Sequence, residues 1–307
     1  MVNASVIDRP RHLSMQMSSH QVNCWVGEFD AMASPCEVLM AVDDRAQAEE
    51  LLKLASKEAW RIEQKFSRYR QDGIIPRINN NNGKPVIVDD ETAQLINFAY
   101  QCYGLSDGLF DVTSGILRKA WSFKPDSELP EQHLIKSLLP FIGLEKARWD
   151  APEFALPSGM QIDFGGIGKE YAVDRTLKLL LAIVDAPMLV NFGGDIVCNR
   201  AFSEEKPWLV GIESPADQCE AAEFLEVRTG ALATSGSTQR YLVDRGKRYG
   251  HVLNPTTGWP IEQSPLSVTV AATSCTQAGM LATFAMLKGK DAEAFLEQQG
   301  VRFWVIR

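Results

Sequence analysis

Apolar positions along the chain follow two periods. Between Asp44 and Phe66, residues Ala48, Leu51, Leu52, Ala55, Ala59, Ile62 and Phe66 recur at helical intervals and predict an amphipathic helix ending near Phe66–Tyr69. A second helix is expected across Asp90–Gly104 and a short one up to Leu139. Two more follow near the C-terminus, at about Thr276–Leu287 and Asp291–Gln299. CWVGEFDAM and CEVLMAV read instead as strands broken by an Ala33-Ser34-Pro35 turn. Further strand-like pieces lie at Trp208–Glu213, Phe224–Arg228, Arg248–Leu253 and Ser267–Ala271. MQIDFGGIGKEYAVDRTLKLLLAIV reads as strand, glycine turn and helix, and MLVNFGGDIVC as the next buried strand, the most Rossmann-like stretch here. Arg77–Val86 (RINNNNGKPV) is turn chemistry. Residues 1–20 read as a polar, poorly ordered lead-in and 21–307 as the folded unit. No repeat or flexible linker divides it, so the expectation is one large α+β domain, a mixed β-sheet with packed helices.

Composition narrows the function classes. The 307 residues are 45% hydrophobic and 23% charged, enough for a substantial core. A formal net charge of −8, without a basic stripe, argues against a general nucleic-acid binder. No segment is apolar enough to span a bilayer, and Arg9, Arg11 and His12 stand where a secretory apolar region would be, so a cytoplasmic location is expected. The six cysteines (24, 36, 102, 198, 219 and 275) are scattered without a CxxC, against both a metal finger and a disulfide framework.

Candidate chemistry sits in glycine- and aspartate-rich segments: Ser106–Leu117, Asp163–Arg175, Asn191–Ile196, and Thr234–Pro260. Glycine pairs such as Gly165-Gly166 and Gly193-Gly194 leave main-chain N–H groups bare for an anionic ligand. The aspartates beside them (Asp111, Asp163, Asp174, Asp195) would repel phosphate, a conflict that a divalent cation resolves. DFGGIGK is not a P-loop: Asp163 stands at the first glycine position and Glu170 where Ser or Thr belongs. Ser235 lacks a Gly-x-Ser-x-Gly elbow. His251 ends a strand ahead of Asn254-Pro255-Thr256-Thr257-Gly258, a loop suited to a ligand. Asp111 with Thr113 also reads as a helix cap, and Phe66–Arg70 as either an exposed helix end or an aromatic wall for a planar ring.

Taken together, Phe29–Met32, Phe66–Tyr69, Ser106–Thr113, Trp121, Asp163–Asp174, Asn191–Asp195, Thr234–Gly236 and His251–Gly258 resemble the ApbE family of flavin transferases, across roughly residues 24–307. The resemblance implies an ApbE-like, T-fold-related architecture. It implies transfer of FMN from FAD to a Thr or Ser hydroxyl of an acceptor flavoprotein domain, with release of AMP and dependence on Mg²⁺. It further implies a cation held by the Gly168 carbonyl and Thr283. His251 would activate the acceptor or orient the phosphates, and Met32, Tyr69, Asp111 and Thr113 would line the flavin and ribityl region. Gly165, Gly166, Lys169, Asp174, Gly193 and Gly194 would complete the cofactor site.

Four positions depart from the family pattern. Gly279 stands where a metal-binding aspartate is usual, Glu170 replaces a glycine, Asn254 an aspartate and Gly73 a serine. Two readings therefore stay open: a working transferase with a rebuilt metal site, using Glu170 or Asp195, or an FAD-binding protein that has lost transfer. An FAD pyrophosphatase lies between them.

Overall fold

The computed structural model describes residues 11–18, 24–124, 127–213, 221–238 and 240–307. The first half contains strands β1 (Leu13–Met17), β2 (Trp25–Ala31) and β3 (Ser34–Met40), helices α1 (Arg45–Phe66) and α2 (Ile74–Asn79), strand β4 (Val86–Ile87), helix α3 (Asp90–Leu105), helix α4 (Gln132–Leu138), and strands β5 (Arg148–Asp150) and β6 (Glu153–Ala155). Next come α5 (Gly168–Leu181), β7 (Met188–Phe192), β8 (Asp195–Cys198), β9 (Trp208–Glu213) and β10 (Ala221–Val227). The chain closes with β11 (Gly230–Gly236), β12 (Tyr241–Asp244), β13 (Lys247–Gly250), β14 (Ser267–Ala272), α6 (Cys275–Lys288), α7 (Ala292–Gln299) and β15 (Arg302–Ile306).

The architecture is α+β, as expected. Eight strands form one sheet in the order β1-β2-β3-β7-β8-β11-β14-β15. Helices α1, α5 and α6 pack on it, and their apolar stripes close over Val38, Met40, Val190 and Phe192 as the main core. The β9–β10 ribbon packs Trp208, Val210, Ile212, Leu225 and Val227 against Leu189, Ile196, Cys198 and Leu232 of the same sheet. Central strands are thus covered on both faces, which explains why β8 is buried at every position rather than alternating. Among the described residues no helix is long and apolar enough to cross a membrane. Cys24, Cys36, Cys102, Cys198 and Cys275 are free and buried, while Cys219 lies outside the described residues.

The helical periodicity translates closely into structure. Asp44 caps α1 by accepting from the amides of Ala46 and Gln47, and Asp89 caps α3 by accepting from Thr92. Strand boundaries differ more. The first hairpin turns at Met32-Ala33, both at positive φ (51° and 59°), with Ala31 opposite Ser34. MLVNFGGDIVC is two strands joined by a Gly193-Gly194 turn, with φ of 60° and 90°, because a two-residue hairpin needs left-handed backbone that glycine adopts freely. Met160–Asp163 forms no strand and every ladder of the sheet is antiparallel, so the Rossmann-like reading of this stretch is corrected. Within the expected lead-in, Leu13–Met17 pairs with β2 as an edge strand; residues 1–10 and 19–23 lie outside the described ones. Its Leu13 and Met15 pack on the core, and an edge strand needs only this single apolar face.

A carboxylate network ties α1, α3 and α5 together. Glu91 accepts from Arg61 Nη1 (2.8 Å) and Nη2 (2.6 Å), Lys65 Nζ (2.6 Å) and the Tyr171 hydroxyl (2.9 Å). Glu58 accepts from Arg61 and from Arg175. Burial opposes ionisation of Glu91, but Arg61, Lys65 and Tyr171 outweigh it and lower its pKa to about 2. The stability this supplies is fully present above the ordinary glutamate value of 4.5 and is lost as pH falls through about 2. Glu91→Gln is therefore expected to lower stability at neutral pH by about 2 kcal/mol and to flatten the acid limb of the stability curve. Urea denaturation from neutral pH into the acid range measures both.

Candidate active site

The glycine turn ahead of α5 is built by its own aspartate. Asp163 Oδ1 accepts from the Gly165 amide (2.8 Å), and Oδ2 accepts from Arg68 Nη1 (3.1 Å). The Asp163 amide donates to the Val112 carbonyl (2.8 Å). Arg68 also donates to the Gly115 carbonyl (2.7 Å), so the Phe66–Tyr69 segment is fastened to this turn. Gly115 has no room for a side chain, since a Cβ there would lie 2.7 Å from Arg68 Nη1 and from Asp163 Cβ. Gly165 and Gly166 remain exposed, and α5 starts at Gly168 without a side-chain cap. The expectation of bare amides is corrected for three of the four paired glycines: Gly165 donates to Asp163, Gly193 to the Pro35 carbonyl and Gly194 to Asn191 Oδ1, because each turn closes its own hydrogen bonds.

Lys169, in the first turn of α5, joins this turn to the β7–β8 hairpin. Its Nζ lies 2.8 Å from Asp195 Oδ2 and donates to the Gly193 carbonyl (3.3 Å). Burial works against the ammonium charge, and Asp195 more than offsets it, raising the lysine pKa. The other Asp195 oxygen accepts from the Thr234 amide on β11 (3.4 Å). The Gly193 amide donates to the Pro35 carbonyl (2.9 Å), and a Cβ on Gly193 would meet Ser34 Cβ at 2.6 Å, so the Met32-Ala33 turn stands beside this hairpin. Gly194 faces open space.

Glu170 follows Lys169 and points the other way, onto α6. A Cβ at Gly279 would lie 2.6 Å from Glu170 Cγ and 2.8 Å from its Oε1. Glu170 Oε2 is sealed from solvent and has no hydrogen-bond partner among the described residues. Burial, then the charge of Asp195, pushes its pKa up to about 8. Thr283, one turn beyond Gly279, donates to the Ser235 hydroxyl (3.4 Å). Two residues along β11 and its exit, Ser237 stands against Gly250, where a Cβ would meet Ser237 Cβ at 3.0 Å. His251 follows Gly250 directly, and its ring packs edge-on against Phe123. Burial, then the charges of Arg240 and Arg118, lower the His251 pKa to about 4, so the ring is neutral near physiological pH, and its buried Nδ1 has no partner among the described residues.

Other expected ligand residues have structural duties. Asp111 Oδ1 accepts from the amide (2.8 Å) and hydroxyl (2.7 Å) of Thr113, and Oδ2 from the Leu144 amide (3.3 Å). Thr113 is fully buried and accepts from the Gly143 amide (2.8 Å). The cap reading therefore holds for this pair, although Asp111 also walls a cleft of about 210 Å³ shared with Gly143, Glu145, Pro255 and Thr256. Asp174 has both oxygens occupied at the start of α6, accepting from the amides of Cys275 (2.7 Å) and Thr276 (2.8 Å) and from the Thr276 hydroxyl (2.6 Å). Met32 is half-buried on the core and its amide donates to Glu63 (2.9 Å), while Tyr69 is exposed at the end of α1.

The remaining departures have local explanations. Asn254 Oδ1 accepts from the amide (2.8 Å) and hydroxyl (2.7 Å) of Thr256, a turn that asparagine closes as well as aspartate. Gly73 packs on α1, where a Cβ would meet the Gln64 carbonyl at 2.6 Å. Among the described residues no three His, Cys, Asp or Glu side chains converge as a metal cluster. A cation here would need mixed oxygen donors, and the unpartnered Glu170 oxygen, the Thr283 hydroxyl and the carbonyl of Gly168 are of that kind. Arg118 and Arg240 were not singled out by the sequence, and Ser235 was weighed there only as a hydrolase nucleophile and as part of the Thr234–Gly236 motif. The two arginines show their bearing on His251 only through the fold, as Ser235 does through its contact with Thr283.

Residues 32–305 match the model of the ApbE family. A Vibrio cholerae protein named FAD:protein FMN transferase is 30% identical over 237 residues, 75% of this chain and 71% of its own. The Escherichia coli K12 protein of the same name is 28% identical over 256 residues, 80% and 73%. The crystal structure of the ApbE protein from Thermotoga maritima superposes with a TM-score of 0.82 at 29% identity, covering 92% of this chain and 94% of that one.

The Asp174 geometry predicts a stability phenotype. Asp174→Ala removes a carboxylate from the N-terminus of α6 and is expected to destabilise the protein by about 1–2 kcal/mol. Chemical denaturation reads this directly; unchanged stability would assign the carboxylate to a ligand instead.

Proposed function

The chain belongs to the ApbE family, and from that premise we propose that it is an FAD:protein FMN transferase acting on a Thr or Ser of an acceptor flavoprotein domain. The observation that carries this reading is the Lys169 bridge to Asp195 and Gly193, which holds the two glycine turns side by side. The exposed Gly165-Gly166 backbone at the uncapped start of α5 suits a pyrophosphate. The exposed Tyr69 ring, fastened through Arg68, suits a flavin face.

In the reaction the acceptor hydroxyl oxygen attacks the phosphorus on the FMN side of the anhydride, a new P–O bond to the acceptor forms, and the anhydride bond breaks as AMP leaves. The acceptor proton needs a base. His251 is neutral with Nδ1 unpartnered, so it is free to take that proton or to hold the hydroxyl in line. Arg118 and Arg240, whose charges already reach His251, oppose protonation of the free ring and favour an anionic ligand beside it. Gly168 and Thr283 would hold Mg²⁺, which when bound neutralises charge on the pyrophosphate. Asp111 and Thr113 act in this reading by shaping the 143–145 wall of the cleft, and Met32 by placing its turn beside Gly193.

The test incubates the purified protein with FAD and a threonine-containing acceptor domain, with and without Mg²⁺. Release of AMP with an FMN-sized mass gain on the acceptor, only with Mg²⁺, is expected. Bound but unchanged FAD would favour a carrier, and AMP and FMN without acceptor labelling a pyrophosphatase. His251→Ala is expected to slow transfer by about 10²- to 10⁴-fold. With its folded pKa lowered to about 4, His251 becomes protonated only below that value. The wild-type rate should therefore show no loss on descending through the ordinary histidine value of 6.5, a profile that single-turnover kinetics across pH will measure.

A further inference from the structure

The Gly279 departure and the Glu170 departure occupy the same space. A Cβ at position 279 would fall 2.6 Å from Glu170 Cγ, 2.8 Å from Oε1 and 3.1 Å from Cδ, closer than packed atoms allow. The glycine is therefore the condition for Glu170 to lie where it does. We propose that Glu170 is the carboxylate ligand of a divalent cation at this site, supplied from α5 through the niche that Gly279 leaves in α6. The inference rests on the transferase reading above and adds to it which residue carries the negative charge.

Further observations point the same way. Glu170 Oε2 is buried without a hydrogen-bond partner among the described residues, an arrangement that is costly for a carboxylate unless something binds it. The neighbouring cation, Lys169, does not fill that role, because its ammonium is engaged by Asp195 and the Gly193 carbonyl. Thr283 stands on the same face of α6 one turn beyond the niche, so its hydroxyl and the Glu170 carboxylate border the same gap between helices. Carboxylate, hydroxyl and backbone carbonyl oxygens are the donors that hard divalent cations take. A pair of changes has thus moved the carboxylate from one helix to the other without removing it.

Mn²⁺ binding measured by electron paramagnetic resonance on the full chain with FAD present tests this without reference to turnover. Glu170→Gln preserves shape and hydrogen-bonding capacity but not charge. It is expected to weaken Mn²⁺ binding by at least about tenfold, the lower end of what even an outer-shell partner contributes. Gly279→Asp alone is expected to lower the melting temperature, because the new side chain collides with Glu170. The double variant Glu170→Gly with Gly279→Asp is expected to recover both the fold and wild-type Mn²⁺ affinity. Wild-type affinity in Glu170→Gln, or a folded double variant that does not recover Mn²⁺ binding, would overturn the assignment of Glu170 while leaving the transferase reading intact. Absence of Mn²⁺ binding by the wild-type protein with FAD would instead overturn the cation dependence on which both rest.

Discussion

The docking of α5 against α6 is the constraint on which the rest of the site depends. One carboxylate, Asp174, holds it by accepting from the first amides of α6 across the helix pair. A charge placed at that end is favoured by the α6 dipole as well as by the hydrogen bonds. With the start of α6 pinned, Gly279 comes to face Glu170 in the first turn of α5, and Thr283 stands one turn further along α6. A small shift in that docking would move every oxygen donor at once.

The other flank of α5 is fixed by ionic contacts rather than by a cap. Tyr171 and Arg175 reach α3 and α1 through Glu91 and Glu58, and Arg61 serves both carboxylates. Helix α5 therefore runs between two sets of charged anchors, while its apolar residues Ala172, Val173, Leu177 and Leu180 face the core. Lys169 turns toward the β7–β8 hairpin and Glu170 toward α6, so successive residues of one turn serve the two halves of the site. The arrangement separates opposite charges that would otherwise neutralise each other: the lysine is matched by Asp195, leaving the glutamate for a ligand.

Departures from a family pattern carry different meanings according to what surrounds them. Taken one position at a time, Gly279 removes an acidic group and Glu170 inserts one in a glycine turn. In three dimensions they are a complementary pair, because the volume one position gave up is the volume the other now fills. Asn254 and Gly73 are explained locally, by a turn that needs only an acceptor oxygen and by backbone packed too closely for a side chain.

Periodicity by itself determined the long helices, since an amphipathic stripe and an N-capping aspartate are local properties of α1 and α3. The Gly193-Gly194 turn was also legible from residue type, because left-handed backbone is open to glycine wherever it stands. Not every strand was legible: β11, GALATSG, is made mostly of small residues and becomes a strand through pairing on both sides, with β8 and β14. The Asp111 cap was legible locally, whereas the capping of α6 by Asp174 was decided only by tertiary structure, since a carboxylate accepts from whatever donors folding brings within reach. The relation between Glu170 and Gly279 was likewise invisible along the chain. They are far apart in sequence, and only the packing of α5 on α6 makes the absence of one side chain the space for the other.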